Sequence, residues 1–296
     1  MTTIVMTGAT AGLGAQAVRH LVARNDTRVL AGARGIDRVA PEGVELLPLD
    51  LESLDSVRAF ADDVRHRTEA AGIDILVLNA GGQFPNSHPR TPDGYEPTFA
   101  VNHLAHYLLA RLLLPAMADN GRLVITTSDT HDPAITPIGP KTLDPERLAH
   151  PPKGGGVRAY PASKLCNLLT ARSLAVQDEA QARHLTVIAY NPGLTGGTSL
   201  GRSQPWVARK LMPLLLPPIA AVLSRFRPQY HLGTPERAGE ALAELALGRV
   251  SPPSDRVYAS LVRGELTFPD PSELARDDRV RDLLWRESAA MVGLTV

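Results

Sequence analysis

Short apolar runs alternate along the chain with longer segments in which apolar residues recur at helical spacing. The short runs are TIVMTG (3–8), RVLAGA (28–33), VELLPLD (44–50), IDILVLNAG (73–81), RLVITTS (122–128) and LTVIAYNPG (185–193). They predict strands, several of them apolar on both faces as in a covered parallel sheet. The longer segments predict helices over residues 13–22, 55–70, 98–117 and 160–177. This alternation is typical of βαβ units, so we expect an α/β fold with a doubly wound, mainly parallel sheet.

Two segments interrupt the alternation. Residues 131–158 are rich in proline and glycine, and residues 194–234 follow the end of a predicted strand. Both should lie at the carboxyl edge of the sheet, where open α/β folds bind ligands. We therefore expect one domain over 1–296, in which 131–158 is an insertion loop and 194–234 is a substrate lid.

Composition narrows the classes of partner. The 296 residues carry 31 basic and 31 acidic side chains, so we expect no nucleic-acid partner. Cys166 is the single cysteine, which excludes an intrachain disulfide and fits a reducing, cytoplasmic compartment. The chain enters its first strand at once, which leaves no room for a signal peptide. Prolines, Arg209 and Lys210 interrupt the apolar stretch 206–226, so we do not expect it to span a membrane.

A glycine-rich loop joins the first predicted strand to the first helix. In TGATAGLG, Gly8, Gly12 and Gly14 leave backbone N–H groups free to approach a pyrophosphate at the helix N-terminus. The spacing is G-x-x-x-G-x-G rather than the usual G-x-G-x-x-G. A tight strand–helix turn is the alternative interpretation.

The second strand indicates which dinucleotide would bind. An acidic residue at its end would favour a ribose 2′-hydroxyl, whereas an arginine accommodates a 2′-phosphate. Here Arg34 follows the strand, and no carboxylate occurs until Asp37. We expect NADP(H) rather than NAD(H), the alternative being that Arg34 is only a solvated loop charge. Asp50, after the third strand, could accept a hydrogen bond from the adenine amino group.

A tyrosine and a lysine share one face of a predicted helix. Tyr160 and Lys164 are four residues apart, and an adjacent ammonium favours the phenolate, moving its pKa toward neutral pH. Such a pair also occurs by chance in helices. Ser128 ends a strand at the same sheet edge, where its hydroxyl could bind a carbonyl oxygen. Asn102 lies within an apolar helical pattern, and a buried amide must find partners.

Together these motifs resemble the short-chain dehydrogenase/reductase family over essentially the whole chain. TGATAGLG, NAG (79–81), VNHLAH, Ser128, YPASK and NPG (191–193) match its motifs in order and spacing. The resemblance implies a single Rossmann-fold domain and a hydride-transferring oxidoreductase.

The resemblance also implies a catalytic tetrad of Asn102, Ser128, Tyr160 and Lys164. Tyr160 would be the general acid in reduction and the base in oxidation, and Ser128 would polarise the carbonyl. Lys164 would lower the pKa of the tyrosine and bind the nicotinamide ribose, while Asn102 would support a proton-relaying water. The cofactor-binding residues implied are Gly8, Thr10, Gly12, Leu13, Gly14, Arg34, Asp50, Leu51, Asn79, Ala80, Gly81, Tyr160, Lys164, Pro192, Gly193 and Thr195. No histidines pair with a carboxylate at ligand spacing, so no metal site is expected.

Within the family the chain is most similar to retinol dehydrogenase-like and protochlorophyllide reductase-like members. The likeness lies in DGYEPTFAVNHLAHYLL (93–109), SKLCNLLTARSL (163–174), TPERAGEALAELAL (234–247) and LWRESAAMVGL (284–294). Where the light-driven pigment reductase has a cysteine and a threonine, this chain has Leu194 and Val101. We therefore favour an ordinary carbonyl or alcohol substrate over reduction of a pigment C=C bond.

The predicted lid is strongly apolar and suggests a bulky lipophilic substrate. Its apolar residues are Leu194, Leu200, Trp206, Val207, Leu211, Met212, Leu214, Leu215, Leu216, Ile219 and Leu223. Alternatively the segment packs against its own domain, a partner subunit of a homodimer or homotetramer, or a membrane surface. A non-catalytic NADP(H)-sensing protein is the competing functional hypothesis, although such a protein would be expected to lose Tyr160 or Lys164.

Overall fold

The computed structural model describes residues 1–23, 26–35, 42–86, 88–152, 155–196, 218 and 220–296. Asp37 and most of the predicted lid, including Leu200, Trp206 and Ile219, lie outside the described residues. None of the described helices is long and apolar enough to cross a membrane.

The centre of the fold is an eight-stranded sheet with strand order β3-β2-β1-β4-β5-β6-β7-β8. The strands are β1 (Thr2–Thr7), β2 (Thr27–Ala33), β3 (Val44–Pro48), β4 (Ile73–Leu78), β5 (Met117–Thr126), β6 (Thr186–Asn191), β7 (Tyr258–Val262) and β8 (Glu265–Thr267). Neighbouring strands are parallel except β7 and β8. This confirms the predicted α/β class, with the order reversing at β1, between β2 and β4.

Helices cover both faces of this sheet. They are α1 (Gly12–Leu21), α2 (Leu54–Thr68), α3 (Pro97–Phe99), α4 (Ala105–Leu113), α5 (Pro145–Ala149), α6 (Ala159–Ala175), α7 (Asp178–Ala182), α8 (Pro235–Ala246), α9 (Glu273–Arg276) and α10 (Asp278–Met291). On one face, buried residues of α2, α4, α6 and α10 join the core around Leu76 of β4. On the other, α1 and α8 bury their apolar residues against Val77. Neighbouring β4 residues thus face opposite layers, as strand geometry requires.

The sequence-based boundaries fail at three places. The expected helix 98–117 is a succession of α3, a π-helix (Ala100–Leu104), α4 and a 3-10 turn (Leu114–Ala116). Pro115 lies in that last turn and has no N–H to donate to a continuing helix. β5 therefore begins at Met117 and ends at Thr126, so Ser128 lies beyond the strand. β7 and β8 were not predicted at all.

The two interrupting segments contact one another near the end of β5. Arg227 Nη1 donates to the carbonyl oxygen of Ala134 at 2.7 Å, and the Tyr230 hydroxyl donates to that of Ile135. At the base of the predicted lid, Gly233 N donates to the carbonyl oxygen of Leu194 at 2.8 Å. The described parts of 131–158 and 194–234 therefore meet; their roles as insertion loop and lid stay predictions.

Candidate active site

The glycine loop packs tightly on one side and is open on the other. At Gly8 (φ +71°) a Cβ atom would lie 2.8 Å from the backbone of Ala80, and at Gly14 it would lie 2.0 Å from the Gly8 carbonyl oxygen. At Gly12 (φ +57°) nothing lies within 4 Å of such an atom. The loop is thus fixed against the peptide that follows β4, while the space beside Gly12, the first residue of α1, is open. This is a cradle that suits a pyrophosphate.

A buried hydroxyl below this loop connects β1, β4 and α4. Thr7 Oγ1 accepts hydrogen bonds from Asn79 N and Ala80 N, both at 3.0 Å, and lies 2.9 Å from His106 Nε2. His106 Nδ1 lies 3.1 Å from the carbonyl oxygen of Asn102, to which only a protonated Nδ1 can donate. Nε2 is therefore the acceptor for the Thr7 hydroxyl. Burial lowers the pKa of His106 to about 4, so the ring is neutral.

Asn79 is engaged by its neighbours. Its Nδ2 donates to the Gly8 carbonyl oxygen at 3.2 Å, and its Oδ1 accepts from Thr126 Oγ1 at 3.1 Å. The side chain therefore ties the glycine loop to the end of β5.

The Asn102 side chain fixes the peptide that follows β4. Its Oδ1 accepts from Gly82 N at 2.8 Å, and its Nδ2 donates to the Gly82 carbonyl oxygen and to Ser163 Oγ, both at 2.9 Å. Asn102 lies in the π-helix, where the backbone N–H of Ala105 donates five residues back to Ala100. Such π-turns often occur at functional sites. Asn102 is fully buried, with each side-chain donor and acceptor engaged as a buried amide requires.

Lys164 is buried beside Tyr160 and close to the post-β4 peptide. Its Nζ donates to the Thr126 carbonyl oxygen at 3.2 Å and lies 5.6 Å from the centroid of the Tyr160 ring. A Cβ atom on Gly81 would lie 3.2 Å from that nitrogen, so this position favours glycine. Burial lowers the pKa of Lys164 to about 8. The ammonium therefore remains mostly charged at neutral pH.

Ser128 lies close enough to Tyr160 to influence its phenol. Burial raises the pKa of Tyr160 well above its ordinary value, the nearby Ser128 hydroxyl lowers it, and the charge of Asp129 raises it. The expectation that Lys164 moves the pKa of Tyr160 toward neutral pH is not met in this arrangement, because burial of the phenol outweighs the other influences. Tyr160 is a protonated phenol at neutral pH.

A carboxyl group that the sequence reasoning missed lies beside Ser128. Ser128 is the N-cap of the 3-10 turn Asp129–His131, and its Oγ lies 3.4 Å from Asp129 Oδ1. The Asn191 side chain, at the end of β6, lies nearby. Burial raises the pKa of Asp129 to about 6, while its polar neighbours lower it. The Asp129 carboxyl thus lies close to both Ser128 and Tyr160 of the predicted tetrad.

His131 anchors the turn that carries Ser128. Its Nδ1 lies 2.7 Å from the Ser128 carbonyl oxygen, and its Nε2 accepts from Ser272 N at 3.4 Å. The ring is buried edge-on against Tyr258 of β7. His131 therefore links the serine to the C-terminal part of the chain rather than facing a substrate.

The predicted adenosine end lies on the other side of the glycine loop. Arg34 is exposed, and its Nη1 forms an ion pair with Glu52 Oε1 at 2.7 Å; Glu52 Oε2 also lies 3.0 Å from His88 Nε2. Asp50 Oδ1 accepts from Glu52 N at 3.1 Å, and Leu51 packs partly against the core. Arg34 is therefore available to a phosphate only in competition with Glu52.

The remaining predicted contacts flank the site. Gly193 has φ +68°, and its N–H donates to Asn191 Oδ1 at 3.0 Å. Thr195 Oγ1 donates to the Pro192 carbonyl oxygen at 3.0 Å. In the glycine loop, Thr10 and Leu13 are half-buried. Within the described ranges, no cluster of His, Cys, Asp or Glu could hold a metal ion.

The family of the chain follows from comparison with known proteins. Residues 2–135 match the family model described as short chain dehydrogenase. A polyprenol dehydrogenase of Danio rerio is 32% identical, over 98% of this chain and 86% of its own. Protochlorophyllide reductase B of Oryza sativa subsp. japonica is 31% identical, over 99% and 77% of the two chains. The chain belongs to the short-chain dehydrogenase/reductase family, and it is therefore an oxidoreductase of the hydride-transferring kind.

Solved structures agree with this fold. An uncharacterized protein of Mycobacterium paratuberculosis has a TM-score of 0.68 and 26% identity, covering 99% of this chain and 94% of that one. NADPH-bound carbonyl reductase from chicken fatty liver has a TM-score of 0.57 and 16% identity, covering 88% and 96%. At that identity the second likeness concerns the fold alone.

Sequence reasoning singled out the candidate site residues but missed most of the groups that hold them in place. Thr7 and His106 carried one available signal, a polar side chain inside an apolar pattern. Asp129 was adjacent to a residue already singled out. Ser260 of β7 accepts a hydrogen bond from Asn191 Nδ2 at 3.0 Å. The apolar run RVYASLV (256–262), which contains this strand, was available in the sequence.

Proposed function

We propose that the protein is an NADPH-dependent reductase that converts the carbonyl group of a bulky lipophilic substrate into an alcohol, with Tyr160 as the general acid. The observation that carries the proposal is the meeting of Tyr160, Ser128, Lys164 and Asn102 at the carboxyl edge of the sheet. The phenol of Tyr160 is protonated at neutral pH, so it holds the proton that the reduction of a carbonyl consumes.

The residues at this edge fit a nicotinamide dinucleotide. The open space at Gly12 and the N-terminus of α1 suit its pyrophosphate, and the backbone of Asn79–Gly81 lies beside Lys164. Arg34 and Asp50 would hold the adenosine half, and Pro192, Gly193 and Thr195 border the opposite end. When bound, NADPH supplies the hydride that the substrate carbonyl carbon receives.

The protein's own residues manage the proton. Ser128 Oγ hydrogen-bonds the carbonyl oxygen, and Tyr160 Oη donates its proton to that oxygen as negative charge develops there. Lys164 then stabilises the resulting phenolate until the proton is replaced from solvent. The net change is carbonyl plus NADPH plus H⁺ to alcohol plus NADP⁺.

Two features support an ordinary carbonyl substrate over a pigment C=C bond. Val101 is buried in the π-helix, and the Leu194 backbone carbonyl accepts from Gly233. Neither position offers the polar side chain that the resemblance to the pigment reductase would require. The apolar composition of 194–234 and the likeness to a polyprenol dehydrogenase favour a lipophilic substrate.

The proposal is tested by following NADPH absorbance at 340 nm with a panel of lipophilic ketones and aldehydes. Tyr160→Phe removes the phenolic hydroxyl, and with it the transferable proton, and should lower kcat by a factor of about 10²–10⁴, the usual contribution of a general acid. Binding of NADPH, measured by fluorescence, should stay within twofold. Full activity in Tyr160→Phe would overturn the assignment. Tight NADPH binding without turnover of any carbonyl would favour the non-catalytic sensor.

Cofactor preference is tested at the Arg34–Glu52 pair. Arg34→Ala should weaken NADPH binding about tenfold, the scale of one hydrogen bond to a charged group, and leave NADH binding unchanged. Glu52→Gln removes the competing carboxylate and should tighten NADPH binding. Equal effects on both nucleotides would show that Arg34 does not contact the 2′-phosphate.

A further inference from the structure

The Glu52 carboxylate is shared between two donors that come from different segments of the chain. Its Oε1 forms an ion pair with Arg34 Nη1 at 2.7 Å, and its Oε2 lies 3.0 Å from His88 Nε2. Arg34 follows β2, Glu52 lies between β3 and α2, and His88 lies in the loop between β4 and α3. Among the described residues, no other side chain donates a hydrogen bond to this carboxylate.

The His88 ring is positioned on the carboxylate oxygen that Arg34 does not use. An ionised carboxylate only accepts hydrogen bonds, so Nε2 carries the proton in this contact. Phe84 packs against the ring, and the two ring centroids are 4.8 Å apart. The same loop is tied to Leu54, the first residue of α2, whose N–H donates to Asp93 Oδ2 at 3.0 Å. These contacts hold the imidazole beside the Glu52 side chain.

The three side chains differ in their exposure to solvent. Arg34 is 60% exposed, whereas the His88 side chain is 31% and the Glu52 side chain 18% exposed. Arg34 is therefore free to turn toward a ligand, while the carboxylate is shielded from most of the water around it. A shielded charge without a partner is costly, so the carboxylate needs another donor when Arg34 leaves it. His88 already supplies that donor.

We propose that His88 is a positioning residue for the nucleotide: by holding Glu52 Oε2, it lets Arg34 leave the carboxylate and pair with the 2′-phosphate of NADPH. This inference rests on the Arg34 contact of the proposed function. A carboxylate that loses one of two partners is destabilised less than one that loses its only partner. NADH has a hydroxyl in place of this phosphate, so its binding does not require Arg34 to leave Glu52. His88 therefore favours NADPH over NADH without touching either nucleotide.

The test is a double-mutant cycle in which the dissociation constants of NADPH and NADH are measured by fluorescence. His88→Leu removes the donor and keeps an apolar group against Phe84, whereas the matched control His88→Gln can still donate through its amide N–H. His88→Leu should weaken NADPH binding about tenfold, within the range that couplings between contacting groups reach. Its affinity for NADH should stay within twofold, which also reports that the variant is folded. His88→Gln should keep most of the NADPH affinity.

The second arm of the cycle is made in Glu52→Gln, where no carboxylate holds Arg34. There His88→Leu should change NADPH affinity by less than twofold. An equal loss with and without Glu52 would mean that His88 acts on the nucleotide directly, and equal losses for NADPH and NADH would mean a structural role only. Either result, or unchanged NADPH affinity in His88→Leu, overturns the inference.

Two further outcomes separate this inference from the proposed function. If Arg34→Ala leaves NADPH binding unchanged, the role of His88 is overturned together with the Arg34 contact, although carbonyl reduction can still stand. If the cycle gives the expected values but no carbonyl is reduced, the proposed reductase activity is wrong and the role of His88 in nucleotide binding stands.

Discussion

Replacing Thr7 by valine should disturb the site without changing its shape. The Thr7 hydroxyl accepts from Asn79 N and Ala80 N at 3.0 Å and donates to His106 Nε2 at 2.9 Å, and the side chain is fully buried. Valine keeps the volume of the side chain but loses all three bonds. No other described group replaces this hydroxyl between β1, β4 and α4.

The magnitude follows from the groups left behind. A buried polar group that loses its partner costs about 1–3 kcal/mol. Asn79 and Ala80 are half-buried, so water can serve their N–H groups, whereas His106 is fully buried. We therefore expect Thr7→Val to lower the free energy of unfolding by about 3 kcal/mol, because His106 loses its partner without replacement and water replaces the partner of the other two groups only in part.

The assay is equilibrium urea unfolding at pH 7.5, with NADPH affinity as a second readout. Thr7→Ser is the matched control, because it keeps the hydroxyl and loses one buried methyl group, worth about 1 kcal/mol. Since Asn79 and Ala80 form the expected floor of the cofactor site, Thr7→Val should also bind NADPH more weakly than Thr7→Ser. If valine costs no more than serine, the hydroxyl does not organise the site as described.

Three further outcomes are expected. Gly12→Ala should fold, with a free energy of unfolding lower by about 1–2 kcal/mol because its backbone is left-handed, but it should bind NADPH poorly. In Gly14→Ala the new Cβ atom would lie 2.0 Å from the Gly8 carbonyl oxygen, so the native loop should not form, as measured by circular dichroism and NADPH titration. Gly81→Ala should lower kcat with little change in stability, because its Cβ would stand 3.2 Å from the lysine ammonium and displace it. Burial lowers the pKa of His103 to about 3 and of His106 to about 4, so below pH 6.5 the unfolded chain binds protons that the folded one does not. As the pH is lowered, the free energy of unfolding should therefore decrease by roughly 1.4 kcal/mol per pH unit for each histidine. In urea unfolding measured at pH 7, 6 and 5, His103→Phe should remove one of these two contributions. An unchanged dependence of the free energy of unfolding on pH would contradict the assignment.

The sequence by itself determined the α/β class and singled out the candidate site residues. Alternating runs of apolar residues fix which segments cross the core, because burial on two faces demands them. Gly8, Gly14 and Tyr160 were found because local geometry or chemistry restricts the residue at each position. These signals are local, and a single sequence carries local signals well.

The tertiary structure decided how the chemical groups are tuned. A Tyr–Lys pair on one helix face predicted a lowered tyrosine pKa, but burial raises it, and burial depends on every element around the phenol. Asn191 at the end of β6 and Ser260 of β7 meet in a hydrogen bond of 3.0 Å although they are 69 residues apart along the chain. Desolvation and hydrogen bonds between distant strands are properties of the packed molecule, and no spacing along the chain specifies them.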